Sequence, residues 1–190
     1  MNHQSKDFSD CRVLGFAIKQ AGEILEPFIT NDEALTAFIG SIQTFDAMKQ
    51  HYPLAPYLKL LKIAEQSGLL ERLGKAAAIH GVQPLLRRDD ITTVADILRV
   101  IEKEIPRQYQ GNVGRFSVTM LDEACAELFD ATFAPCGFLA SFVERTMAGF
   151  GTKEIDINHQ PNNCRKHGAE ACKYTFTWSG SELLALTRQK

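Results

Sequence analysis

The stretch from 153 to 178, KEIDINHQPNNCRKHGAEACKYTFTW, limits the fold more than any other part of the chain. It alternates, and alternation means strands with one face buried and one wet. Ile155, Ile157 and His159 share one face of the first run. Cys172, Tyr174, Phe176 and Trp178 share one face of the second, while Asp156, Lys173, Thr175 and Thr177 fall on the opposite side. Between the runs, Asn162, Asn163, His167 and Gly168 supply turn chemistry, and Gly168 is free to take a positive φ. The stretch is therefore an antiparallel hairpin. Cys164 and Cys172 sit at the mouth of its loop, where two thiols can converge.

The sequence before this hairpin has a helical period. Val13, Leu14, Ala17, Ala21, Ile24 and Leu25 recur at helical spacing up to Pro27. Asn31 is a candidate N-cap for a second helix carrying Leu35, Phe38, Ile39, Ile42 and Phe45. Pro53 and Pro56 precede a third, with Leu58, Leu60, Leu61, Ile63 and Ala64, and a fourth runs from Leu69 to about His80. Thr93 and Asp96 have capping-box spacing ahead of DILRVIEKEI, which Pro106 closes.

From Gly114 the period changes. Phe116, Val118 and Met120 alternate with Ser117, Thr119 and Leu121, so RFSVTML reads as a strand, with a turn at Asp122 and Glu123. CAELFDATF is the returning strand, although alanine and glutamate dilute its β signal. Pro135 stands as a first helical residue before Leu139, Phe142, Val143, Met147 and Phe150. After the hairpin, Ser179 and Glu182 open a short final helix, SELLALTRQ. A helical first half followed by strand, strand, helix, strand, strand, helix predicts an α+β fold: a four-stranded antiparallel sheet packed with helices. Residues 1–37 are expected to form an N-terminal helical extension and residues 38–190 the main domain.

Charge and composition exclude several classes. A formal net charge of −2 favours neither nucleic acid nor an anionic membrane as partner. No apolar run approaches the roughly 20 residues that span a bilayer, and MNHQSKDFSD has no signal-peptide core. Five scattered cysteines, an odd number, suit a reducing cytoplasm better than a disulfide framework. The chain has no G-x-S-x-G elbow, no H-E-x-x-H and no G-x-G-x-x-G, so no catalytic residue is assigned.

GFLASFVERTMAGFG, a strand, then Cys164, Gly168 and Cys172 at a C-x3-G-x3-C spacing, with Tyr174 and Phe176 after it, resembles the 4-vinyl-reductase domain family. That family shares its fold with haem–NO-binding domains and with subunits of vesicle-tethering complexes. The resemblance implies a small apolar or aromatic ligand held between helices and sheet, and a structural zinc near the paired cysteines. Zn²⁺ takes four tetrahedral N or S ligands. Cys164 and Cys172 supply two, Cys136 is the natural third, and His159, inward by parity, or His167, in the loop, is the fourth. Pro161 stands where ligand-sensing relatives carry a glutamate. The plainer reading makes these cysteines small buried hydrophobes.

For the pocket, seven of the twelve phenylalanines lie in the second half, and Phe138, Phe142, Met147, Tyr174, Phe176 and Trp178 are the expected lining. An aromatic core explains any one of them equally well. Haem or another tetrapyrrole is the less favoured cofactor. Glu102 stands where haem–NO-binding domains place a histidine, no Tyr-x-Ser-x-Arg clamp is present, and His51 and His80 are alternative axial ligands only by another geometry. The expected function is a small-molecule-binding sensory module, a homodimer acting on a signalling partner. An accessory protein or enzyme of tetrapyrrole metabolism, or a dimeric structural adaptor, are the alternatives.

Overall fold

The computed structural model describes residues 8–28, 33–46, 50–85, 88 and 90–181. The chain enters through β1 (Arg12–Leu14), which bonds on one side to β2 (His51–Pro53) and on the other to β3 (Tyr109–Gln110). Val13 and Leu14 therefore belong to a strand and not to the first helix. Three residues are too few to show a period, so the apolar spacing runs unbroken across the junction into α1 (Gly15–Leu25). A short 3-10 turn, Glu26–Phe28, follows at Pro27.

α2 (Glu33–Ile42) buries Ile39 and Ile42; its expected cap, Asn31, lies outside the described residues. α3 (Ala55–Gln66) starts with Pro56 in its first turn and buries Tyr57, Leu60, Leu61 and Ala64. α4 (Leu70–Leu85) and α5 (Val94–Arg107) follow. The α5 capping box forms as read. Thr93 Oγ1 accepts the Asp96 N–H at 3.1 Å, and Asp96 Oδ2 accepts the Thr93 N–H at 2.9 Å. Pro106 sits inside the last turn of α5 and not beyond it.

β4 (Phe116–Asp122) and β5 (Cys125–Asp130) form the first hairpin. The Asp122 carboxylate accepts the Ala124 N–H at 2.7 Å and so closes its turn. On β5 the inward positions are Ala126, Leu128 and Asp130, and all three are buried. α6 (Phe138–Gly149) begins three residues after Pro135, which lies in the preceding loop. β6 (Thr152–Lys153), β7 (Asp156–His159), β8 (Cys172–Thr177) and β9 (Gly180–Ser181) complete the order. β6 pairs with β9, so the chain past Ser179 is a strand as far as Ser181; Glu182 and the rest of the expected final helix lie outside the described residues.

The main sheet has the order β4-β5-β8-β7, all antiparallel, and the architecture is α+β. Its central strands put Ala126, Leu128, Cys172, Tyr174 and Phe176 into the core. Each large side chain fully buried there contributes about 1.5–3 kcal/mol. α5 lies against β4, and α6 packs on α4 and α5. The α4–α6 approach depends on Gly74, where a Cβ would come within 2.5 Å of the Phe138 carbonyl oxygen. Among the described residues no helix is long and apolar enough to cross a membrane.

Candidate metal centre

The hairpin between β7 and β8 turns through two 3-10 segments, Pro161–Asn163 and Arg165–His167, with Cys164 between them. Cys164 carbonyl oxygen accepts N–H bonds from His167 (2.9 Å) and Ala169 (3.2 Å). Gly168 closes the turn at φ 92°, the left-handed conformation its residue type permits. This folds Cys164 back towards Cys172 at the start of β8, and their sulfurs lie 3.9 Å apart. Cys136, just before α6, completes a triangle, with its sulfur 3.5 Å from that of Cys164 and 3.0 Å from that of Cys172. His159, the last residue of β7, adds a ring nitrogen. One ligand atom from each of Cys136, His159, Cys164 and Cys172 falls within 4.8 Å of every other. His167 is exposed and outside this group.

The neighbours of the four are ordered to match. The His159 ring stacks on Tyr174, its partner across β7–β8, with centroids 4.4 Å apart. Its Nε2 is buried and has no hydrogen-bond partner. Tyr174 Oη accepts the Gly137 N–H at 3.0 Å, and burial raises the tyrosine's pKa well above the ordinary value. A hydrogen bond from Cys136, helped by the Arg165 backbone N–H and guanidinium, pushes the Cys172 thiol down to about 3 against the opposing effect of burial. The same Cys136–Cys172 bond, burial and Cys164 hold Cys136 far above the usual thiol range.

This donor set matches a tetrahedral borderline-soft ion. Zn–S bonds of about 2.3 Å at tetrahedral angles place sulfurs roughly 3.8 Å apart, and the three edges here scatter around and below that. Residues that the sequence did not single out surround the centre. Asp130 faces Cys172 across β5–β8, its side chain is 1% exposed, and it pairs with Arg165 at 2.9 Å. Burial raises the Asp130 carboxyl, while Arg165 and Thr132 oppose that rise. The signal for Asp130 was parity: it continues the inward row of Ala126 and Leu128.

The expected ligand lining divides. Phe138 and Phe142 lie at a cleft of about 40 Å³, with Phe16, Gln20, Tyr57 and Tyr109 around them. Met147, Tyr174, Phe176 and Trp178 are buried in the core and line neither this cleft nor a smaller one beside Val113 and Phe133. Tyr57 and Tyr109 lie together in this lining, and burial raises the pKa of both. No periodic signal could have paired them. Glu102, on α5, accepts the Val118 N–H at 3.2 Å. His80 is exposed and edge-on to Phe16, and His51 lies in β2.

With helices, sheet order and centre described, the fold is that of haem–NO-binding (H-NOX) domains. An H-NOX protein from S. oneidensis in the Fe(II) ligation state (a triple mutant) is similar at a TM-score of 0.67 and 11% identity, over 89% of this chain and 97% of that one. Fe(II) unliganded H-NOX from K. algicida gives 0.65 at 15% identity, over 89% and 98%. A point mutant of T. Tengcongensis H-NOX gives 0.57 at 13%, over 88% and 98%. Likeness at such identities shows the fold alone. No protein-family model matches the chain, and no curated protein does. No match supports the 4-vinyl-reductase family itself, while the relation in fold to haem–NO-binding domains that the resemblance implied holds.

Proposed function

We propose that this chain is a small-molecule-binding sensory module whose sheet and sixth helix are pinned together by one zinc ion on Cys136, His159, Cys164 and Cys172. What carries the reading is the convergence of three sulfurs and a buried, partnerless imidazole nitrogen. A buried polar atom left without a partner costs about 1–3 kcal/mol, and a metal bond removes that cost. Two of the ligands come from the hairpin strands, one from its loop and one from the helix entry. A bound ion would cross-link all three segments and contribute directly to folding. Zinc here is structural: four protein ligands leave no open position for substrate.

The ligand reading rests on the cleft between α1, α3, α4, α5 and α6. At about 40 Å³ it is well below the ~300–1,000 Å³ of small-molecule sites, so a guest has to part the aromatic lining. Its walls are largely apolar with Gln20, Tyr57, Gln108 and Tyr109 as polar groups, which suits a small aromatic guest. Haem, the group implied by the Fe(II) neighbours, does not fit these residues. The helix position for its histidine carries Glu102, whose carboxylate is spent on a backbone N–H, and the cleft cannot enclose a macrocycle.

Native mass spectrometry with metal analysis tests the reading. About one zinc per chain is expected, lost in Cys164→Ser and Cys172→Ser. Protein purified with all three cluster thiols free to react and no metal would overturn it.

A further inference from the structure

We infer that Arg165 is the positioning residue of this metal centre, clamping the segment that delivers Cys136 to the loop that carries Cys164 and setting a positive charge beside the Cys172 sulfur. The inference rests on the metal reading above and goes beyond the four ligands.

Arg165 directly follows Cys164, and its guanidinium crosses to the loop after β5. Nη1 donates to the Thr132 carbonyl oxygen. Nη2 donates to the Ala134 carbonyl oxygen and, at 2.9 Å, to Asp130 Oδ2. The loop is braced from within as well. Asp130 Oδ1 accepts the Thr132 N–H at 2.8 Å and the Thr132 hydroxyl at 2.7 Å, and Thr132 Oγ1 accepts the Ala134 N–H at 3.2 Å. One side chain therefore binds residues 130, 132 and 134 together, and Cys136 is two residues further on. A planar fork of donors can serve two carbonyls and a carboxylate at once, whereas an ammonium is a point charge on a flexible stem.

The charge has its own reason to be there. Three thiolates and a neutral imidazole on Zn²⁺ leave the centre one negative charge in excess. The Arg165 guanidinium places its positive charge close to the Cys172 sulfur and favours a thiolate there. Its Nε–H is buried with no partner of its own. Asp130, opposite Cys172 in the ladder, holds the guanidinium in place. Such outer partners orient ligands and tune the ion, and losing one typically weakens metal affinity about 10–100-fold.

Cobalt substitution in the full chain, with Co²⁺ titrated against a competing chelator, separates the roles. Wild-type protein is expected to give tetrahedral ligand-field bands and a sulfur-to-cobalt charge-transfer band. Arg165→Met should keep the ligand-field pattern, since the four ligands remain. It should bind about 10–100-fold more weakly and shift the charge-transfer band to longer wavelength, because a sulfur that loses a neighbouring positive charge gives up its electrons more easily. Arg165→Lys should recover part of both changes. If Arg165→Met does not fold, Asp130→Asn provides the second variant, and the same shift in smaller measure is expected. Affinity within twofold of wild type and an unmoved band in Arg165→Met overturn the role. Equal weakening in the Met and Lys variants with an unmoved band also overturns it, leaving only packing. If wild-type protein gives no cobalt bands, the metal reading itself falls and this inference with it.

Discussion

His159 and Tyr174 show how closely individual atoms are matched around the centre. The imidazole lies flat on the phenol, and the phenol oxygen takes the N–H of Gly137, next to Cys136 of the cluster. Tyr174→Phe should therefore leave that N–H without its acceptor and cost about 1–3 kcal/mol, read as a lower urea midpoint with unchanged slope. His159→Phe separates metal from packing more sharply. It keeps the stack and deletes the partnerless nitrogen, so the chelated protein should melt at the same or a higher temperature. The gain in melting temperature on adding zinc should shrink, because stabilisation by a ligand follows its affinity for the folded form. An equal zinc-dependent gain in both proteins would remove His159 from the ligand set. At this scale the sequence was informative where a side chain obeys a period: parity turned His159 inward, and the C-x3-G-x3-C spacing bent Cys164 towards Cys172. It was silent on Arg165, because an arginine after a cysteine in a polar loop looks like any solvated charge until the β5 loop arrives beside it.

At the scale of elements, local chemistry decided the strongest boundaries. Thr93 and Asp96 satisfy each other and two backbone N–H groups, so Thr93→Ala should cost about 1 kcal/mol and leave the sheet intact. The Asp96 carboxyl is held below its usual pKa, chiefly by the Thr93 hydroxyl, with backbone N–H bonds from Thr92 and Thr93. A folded-state pKa below the unfolded value of about 3.9 means stability that is present above that pH and lost as pH falls through the folded value. The gap in thermal stability between wild type and Thr93→Ala should therefore be constant near neutral pH and narrow below about pH 4. A gap that widened on acidification would contradict the assignment. Boundaries set by tertiary contacts were less legible. β1 is three residues long and exists because β2 and β3 flank it. α6 starts at Phe138 and not at Pro135 because Cys136 is drawn to the sulfur cluster and the Gly137 N–H to Tyr174.

Across the whole molecule, the centre and the cleft are joined by one short span of chain. Cys136 is in the cluster, Gly137 is tied to Tyr174, and Phe138, Leu139 and Phe142, on the first turns of α6, line the cleft. Gly74 of α4 lets that same turn approach closely, with no space for a methyl group. A metal ion held by Cys136 would therefore also fix one wall of the cleft, and linkage would make the coupling reciprocal: whatever parts the aromatic rings would act back on the centre. Hydrogen exchange makes this measurable without knowing the guest. Chelating the metal should speed exchange at the amides of Gly137 to Phe142 and of the 159–172 hairpin, while β4 and the β4–β5 turn keep their protection, since local opening follows the contacts that are lost. Gly74→Ala, which pushes on the Phe138 carbonyl from the other side, should reproduce the loosening of α6 with the metal still bound. If chelation instead speeds exchange uniformly, the ion supports the whole fold and carries no separate message to the cleft. If it changes nothing at α6, the two sites are independent.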